Sequence, residues 1–124
     1  KALPELKGKL TGNAIRVPTP NVSLAIINLS LEQGTDRESL NAYLQQMALS
    51  SALHRQIDYS ASTELVSSDM VGSRFAGIVD SQATIAEGDH CVLYVWYDNE
   101  FGYSCQVVRV MEQMAGVVRQ DLPA

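Results

Sequence analysis

The feature that most constrains the fold is an abrupt change of pattern after residue 97. Residues 92–97 form an uninterrupted apolar run, VLYVWY, and the next three positions are polar, Asp98-Asn99-Glu100. A helical period of apolar residues then follows over about 100–118. A strand that turns directly into a helix sets polar groups at the end of a sheet, where α/β folds bind ligands. Asn99 is the candidate, since its amide donates and accepts hydrogen bonds. The alternative is that Asp98 or Asn99 simply caps the helix.

A second strand–helix pair is predicted in the first half of the chain. Leu24–Leu31 reads as a strand with apolar residues on both sides, so we expect it to be covered on both faces for half its length. Thr35 and Glu38 have the spacing of a capping box. The helix that follows has a one-sided apolar face, made of Leu40, Tyr43, Leu44, Met47 and Ala48.

Shorter patterns complete the predicted fold. Ala14–Val17 reads as a short strand that two prolines end. Weak strand patterns occur at 57–59 and 64–67, strands are predicted at 76–80 and 83–86, and a turn at 87–89 leads into the long strand. We therefore predict one α+β domain over residues 1–124. Its mixed, mainly antiparallel sheet is covered by helices on one face, and it ends in a helix at about 100–118.

Composition excludes several classes of protein. A chain of 124 residues with 46% hydrophobic and 19% charged residues suits one ordinary globular domain. The net charge of −5 argues against nucleic-acid binding, and no apolar run is long enough to span a membrane. Cys91 and Cys105 follow no disulfide pattern, which favours a reducing, cytoplasmic location. His54 and His90 lack a patterned third ligand, so no metal site is predicted.

Three segments, in order along the chain, resemble one enzyme family. Residues 96–104, WYDNEFGYS, resemble the signature near the C-terminal end of the phosphorylating glyceraldehyde-3-phosphate dehydrogenases. Residues 3–12, LPELKGKLTG, followed by 16–23, RVPTPNVS, are similar to a stretch of that family's catalytic domain. Residues 66–69, VSSD, are the third match. Ordered matches along nearly the whole chain are far more specific than one short motif.

The resemblance implies that the chain is the C-terminal part of the catalytic domain. The family begins with a dinucleotide-binding domain, against which the last helix packs, and carries its nucleophile in a Ser-Cys-Thr-Thr-Asn-like motif. Neither that motif nor a Gly-x-Gly-x-x-Gly fingerprint occurs here. We therefore expect a partial catalytic domain that lacks the dinucleotide-binding domain, contains no catalytic residue and is inactive alone. In the whole enzyme, a thiolate attacks the aldehyde, hydride passes to a nicotinamide cofactor, and phosphate releases 1,3-bisphosphoglycerate.

The resemblance also assigns three site residues. Arg16 stands where the family arginine contributes to binding substrate phosphate; the alternative is a surface or ion-pairing arginine. Asn99 stands where the family asparagine hydrogen-bonds the nicotinamide carboxamide. Tyr103 matches a tyrosine near the nicotinamide, or else packs in the core. Cys105 lies near a helix start, but no histidine is patterned beside it, so a structural thiol is expected.

Two other interpretations remain open at this stage. Erythrose-4-phosphate dehydrogenases share the layout, although that branch tends to have tryptophan where Phe101 stands. Alternatively, the piece is a non-catalytic oligomerisation module, because catalytic domains form much of the family's tetramer interface. We expect the piece to form dimers or larger species. The choice between NAD and NADP depends on the absent domain, so we name NAD as the expected cofactor of the full enzyme without excluding NADP.

Overall fold

The long apolar run forms the central strand of a five-stranded sheet. The computed structural model describes residues 3–117. Its strands are β1 Ser23–Ser30, β2 Ile57–Ser60, β3 Gly77–Asp80, β4 Ile85–Glu87 and β5 His90–Tyr97, and its helices are α1 Arg37–Ser50 and α2 Phe101–Met114. Two short 3-10 helices occupy Pro4–Leu6 and Ser67–Met70.

Strand β5 pairs with three other strands. β1 runs antiparallel along one side of it, and β3 and β4 pair antiparallel along the other side. β2 extends the sheet beyond β3 and is parallel to it. The predicted α+β fold, with its mixed, mainly antiparallel sheet and C-terminal helix, is confirmed.

The core lies where β3 and β5 meet the second 3-10 helix. Val22, Met70 and Ile78 are buried together, and Trp96 packs against them. Ile78 and Trp96 are register partners, so they share one face of the sheet. Leu93 is buried on the opposite face, because side chains alternate along a strand. Both faces of β5 are thus covered near the corner that ends it.

Helix α1 begins with a different cap from the one predicted. Asp36, not Thr35, is the N-cap: its carboxylate accepts hydrogen bonds from the backbone N–H and the hydroxyl of Ser39, both at 2.8 Å. A carboxylate is favoured there because it also interacts with the positive end of the helix dipole. The helix lies against β2 and β4 with its apolar side half-buried, except for Tyr43, which is exposed.

Two predicted strands do not form. Ala14–Val17 is irregular, with Ile15 83% and Val17 64% exposed, because no strand within residues 3–117 pairs with it. The strand predicted at 64–67 is replaced by an extended approach to the second 3-10 helix, where the Asp69 carboxylate accepts a hydrogen bond from the Val66 N–H at 3.0 Å.

Strand β1 is more exposed than predicted. Leu24, Ile26, Ile27 and Leu29 each leave more than a third of their surface in solvent, although they point to both faces of the sheet. The expectation of cover on both faces was therefore wrong for this chain. The physical reason is position: β1 is an edge strand, whereas α1 lies against β2 and β4.

Helix α2 ends at Met114, earlier than the predicted 118. Val118, at the predicted end of the helix, lies outside the described residues. Within the described part, Val107, Val108, Met111 and Met114 are exposed, Met114 by 83%. These four residues form an apolar stripe along α2 that is left in solvent.

Candidate functional site

The corner between β5 and α2 is built around the carboxylate of Asp98. Its Oδ1 accepts hydrogen bonds from the backbone N–H groups of Glu100 at 3.0 Å and Phe101 at 2.9 Å. Its Oδ2 accepts from the N–H of Gly72 at 2.9 Å and from the side-chain amide of Asn21 at 3.1 Å. One side chain therefore joins the start of α2, the loop after the second 3-10 helix and the segment before β1.

Burial and hydrogen bonding together determine the charge of Asp98. The side chain is only 2% exposed. Hydrogen bonds from the backbone of Gly72 and Phe101 lower the pKa of the Asp98 carboxyl below its ordinary value of 3.8, against the opposing effect of desolvation. Asp98 is therefore ionised at neutral pH and is unsuited to donating a proton. Its four contacts make it the anchor of the corner. The N-cap position of α2 is Glu100, which makes no side-chain cap hydrogen bond, so neither Asp98 nor Asn99 is the N-cap; Asp98 instead binds the N–H groups of Glu100 and Phe101 from just before the helix.

Asn99 is exposed at this anchored corner. Its Oδ1 accepts a hydrogen bond from the hydroxyl of Ser23 at 3.3 Å, the first residue of β1. This is the one hydrogen bond that its side chain makes within residues 3–117. The contact engages the amide oxygen, and the two N–H groups of the amide make no hydrogen bond within residues 3–117. Asn99 therefore presents an oriented hydrogen-bond donor at the end of the sheet.

Tyr103 follows one helical turn after Asn99, in the first turns of α2. It is 69% exposed, so packing in the core, the alternative left open by the sequence, is not its role in this chain. Its ring and hydroxyl are available to a ligand or another surface on the same side of the corner.

Arg16 lies in the irregular segment that precedes β1 and is exposed. No hydrogen bond formed within residues 3–117 joins it to Asn99 or Tyr103. Arg16 is five residues before Asn21, which the Asp98 carboxylate holds, so their Cα atoms are at most about 18 Å apart. The structure thus brings Asn99 and Tyr103 to one corner and leaves Arg16 near it without direct contact.

Sequence reasoning missed the residues that support this corner. Asn21, Ser23 and Gly72 contact Asp98 or Asn99 across separations of 26 to 77 positions in the chain. Local patterns carry no information on such pairings. The sequence does contain one indication of Asn21 and Ser23. Both lie in the stretch RVPTPNVS, residues 16–23, which resembles the family but predicts a role only for Arg16.

Within residues 3–117, a further polar cluster surrounds His90, but its contacts are not those of a proton relay. The Ser30 hydroxyl and the Asp89 carboxylate both approach Nδ1 of His90, at 3.4 and 3.6 Å. A proton relay would need one partner on each ring nitrogen.

Among residues 3–117, no three His, Cys, Asp or Glu side chains cluster as metal ligands would. In the same part of the chain, neither helix has the length and apolarity needed to cross a membrane.

Comparison with known proteins agrees with this architecture. The fold and its strand–helix corner define an α+β domain. Residues 1–99 match the family model described as glyceraldehyde 3-phosphate dehydrogenase, C-terminal domain, and the chain belongs to this family.

Named relatives extend the match over almost the whole chain. A glyceraldehyde-3-phosphate dehydrogenase-like protein of Pseudomonas aeruginosa (strain UCBPP-PA14) is 71% identical over 117 residues, which cover 94% of this chain and 25% of that protein. Glyceraldehyde-3-phosphate dehydrogenases of Echinococcus multilocularis and Schistosoma mansoni are 43% and 44% identical, each over 92% of this chain and 34% and 33% of their own lengths. The chain thus spans about a quarter to a third of these relatives.

Proposed function

We propose that this chain forms the nicotinamide-orienting and phosphate-binding side of a glyceraldehyde-3-phosphate dehydrogenase. The enzyme oxidises and phosphorylates glyceraldehyde 3-phosphate to 1,3-bisphosphoglycerate with NAD, or with NADP. The observation that carries the proposal is the state of Asn99: an exposed amide whose oxygen is held by Ser23 and whose backbone follows the buried carboxylate of Asp98.

Asn99 suits the carboxamide of a nicotinamide ring. Its N–H groups donate to the carboxamide oxygen, and the Ser23 contact reduces the freedom of the amide to rotate. A bound nicotinamide supplies hydride acceptance, which depends on the ring face that meets the substrate. The work of this chain is therefore orientation: Asn99 fixes the carboxamide, and Tyr103 borders the same side of the corner.

Arg16 supplies the phosphate-binding part of the proposal. A guanidinium stays charged at every relevant pH and forms two parallel hydrogen bonds to a phosphate. Arg16 is exposed, so its side chain is accessible to substrate without loss of a buried contact. Asn21, five residues further along the chain, joins this segment to the corner that carries Asn99.

A chimera tests these roles. This chain replaces the matching stretch of the Pseudomonas aeruginosa relative, and the initial rate of glyceraldehyde 3-phosphate oxidation is compared with that of the unmodified relative. Arg16→Ala should raise KM for phosphate and phosphorylated substrate about ten- to hundredfold, because a charge-assisted contact contributes about 1.5–3 kcal/mol. Asn99→Ala should raise KM for the cofactor about two- to tenfold, as for a neutral hydrogen bond.

Matched controls separate these effects from misfolding. Lys9→Ala removes an exposed cation from the same irregular segment as Arg16, and Asn28→Ala removes an exposed amide from β1. Neither should change the Michaelis constants. Equal effects of Arg16→Ala on cofactor and phosphate parameters would contradict the assignment of Arg16, and an unchanged cofactor KM in Asn99→Ala would contradict that of Asn99.

The isolated chain should have no dehydrogenase activity. Its 124 residues contain neither the nucleophile motif nor the dinucleotide-binding fingerprint of the family, and loss of a nucleophile costs on the order of a millionfold in rate. Formation of NADH that increases with purified chain and disappears in Cys105→Ser would contradict this and make Cys105 catalytic.

A second candidate function is subunit assembly. The observation that favours it is the exposed apolar surface on β1, with Ile26 55% exposed, and on α2, with Met111 62% exposed. Such surface usually marks a contact with another protein or domain. Assembly and catalysis are compatible, because one domain supplies both in an oligomeric enzyme.

A further inference from the structure

A cavity lies on the side of α2 that faces the body of the domain. Its volume is about 440 Å³, and it lies, open to solvent, between α2, the turn at 54–55 and the loop at 74–75. Small-molecule sites occupy roughly 300–1,000 Å³. Arg16, Asn99 and Tyr103 do not line it, so the cavity is separate from the site proposed above.

The wall of the cavity carries more positive than negative side chains. Arg55, Arg74 and Arg109 all line it, against a single carboxylate, that of Glu112. Guanidinium groups are the side chains best suited to binding carboxylate or phosphate groups through paired hydrogen bonds. The charge of the wall therefore selects for an anion.

The amide of Gln106 binds the backbone at two of the arginines and the side chain of the third. Its Nε2 donates to the carbonyl of Arg74 at 3.0 Å and to that of Arg55 at 3.4 Å. Its Oε1 accepts a hydrogen bond from Nε of Arg109 at 2.8 Å. One side chain thus fixes two backbone positions and one guanidinium, which lowers the ordering cost of binding.

The remainder of the wall is apolar. Phe75, Phe101 and Val108 line the cavity, and the thiol of Cys105 lies among them. An inorganic anion would leave this surface in water, whereas an aromatic ring would cover it. We propose that the cavity binds a small organic anion with an aromatic body, of the class of aryl phosphates and aryl carboxylates.

Cys105 provides a readout that does not depend on enzyme activity. The folded chain is treated with iodoacetamide, and alkylation of each cysteine is followed by peptide mass spectrometry at constant ionic strength. Phenyl phosphate is the probe. It should slow alkylation of Cys105 in a saturable manner at millimolar concentration and leave the buried Cys91 unaffected. Inorganic phosphate supplies only the anionic group of the proposed ligand and phenol only the aromatic ring. Each should therefore need a concentration at least about tenfold higher than phenyl phosphate to protect Cys105 equally.

Two variants connect the protection to the arginines. Arg109→Gln and Arg74→Gln should each weaken protection by phenyl phosphate about tenfold, because each removes a charged contact. Lys9→Gln, which removes an exposed cation elsewhere, should not change it. Circular dichroism verifies that the variants fold. Arg74 is exposed, so Arg74→Gln is expected to fold, and it still tests the proposal if Arg109→Gln unfolds.

Three results would overturn the proposal. They are the absence of saturable protection by phenyl phosphate, equal protection by phosphate alone or phenol alone, and undiminished protection in both arginine variants that fold.

Discussion

Gly102 offers the sharpest test of how α2 is seated. A Cβ atom added at this position would lie 2.6 Å from the carbonyl oxygen of Phe75 and 3.2 Å from that of Ser73. Both neighbours are backbone atoms, so no side chain can rotate away. Gly102→Ala therefore forces α2 away from the loop at 73–75 by several tenths of an ångström.

The expected magnitude follows from two opposing effects. Overpacking of a close contact costs about 1–3 kcal/mol, whereas alanine in place of glycine within a helix gains about 0.5–1 kcal/mol. We expect a net loss of about 1–2 kcal/mol in the free energy of unfolding. Urea denaturation followed by circular dichroism measures it, through a lower midpoint at unchanged slope.

Gly12→Ala is the matched control. Nothing lies within 4 Å of its added Cβ, so the same change should leave stability unchanged or raise it by up to about 1 kcal/mol. Gly102→Ala as stable as the unmodified chain would refute the reasoning. It would mean that α2 is not held against the Phe75 carbonyl in solution, and the orientation of the Asn99 corner would then lose its structural basis.

Three further outcomes are expected. Hydrogen bonds lower the pKa of Asp98, so the stability that its carboxylate contributes is present above pH 3.8, the ordinary pKa, and is lost as the pH falls through the lowered pKa. Urea titrations at several pH values should therefore show the largest difference in free energy of unfolding between Asp98→Asn and the unmodified chain near neutral pH, and the difference should vanish in acid. Burial raises the pKa of the Cys91 thiol, so iodoacetamide should alkylate Cys105 faster than Cys91, and equal rates would indicate an open fold. The exposed apolar stripe of α2 should drive association at micromolar concentration, so sedimentation should detect dimers or larger species. Met111→Lys should weaken this association, and the control Gln113→Lys should not. A chain that stays monomeric at high concentration would contradict the prediction.

The sequence predicted best what depends on local pattern. The run at 92–97 and the helical periods after Asp36 and Asn99 specify β5, α1 and α2 through contacts between neighbours in the chain. Pattern failed for Ala14–Val17, because a tetrapeptide with three apolar residues becomes a strand only beside a partner strand, and none pairs with it within residues 3–117. The pattern also failed to predict that β1 is exposed. The alternation of apolar residues shows which side chains a strand could bury, but the position of the strand in the sheet decides which of them are buried.

At the candidate site, the sequence pointed to the candidate residues but not to the residues that support them. Asn99 and Tyr103 were named through a family motif, and the structure leaves both exposed at one corner. The Ser23 contact to Asn99 and the Asn21 contact to Asp98 were not foreseen, since they join residues far apart in the chain.

The adjacent polar residues of the corner divide two tasks that sequence alone could not separate. Asp and Asn are both common helix-capping residues, and the sequence alone does not show which of Asp98 and Asn99 supports the corner and which is free to bind a ligand. Burial distinguishes them: Asp98 is 2% exposed and uses both carboxylate oxygens within the chain, whereas Asn99 is exposed and uses only its amide oxygen. A buried ionised carboxylate with four hydrogen bonds is costly to move, so it fixes the backbone on which the exposed amide stands. The fixed position of Asn99 therefore depends on its neighbour, and Asn21 joins the segment that carries Arg16 to the same carboxylate.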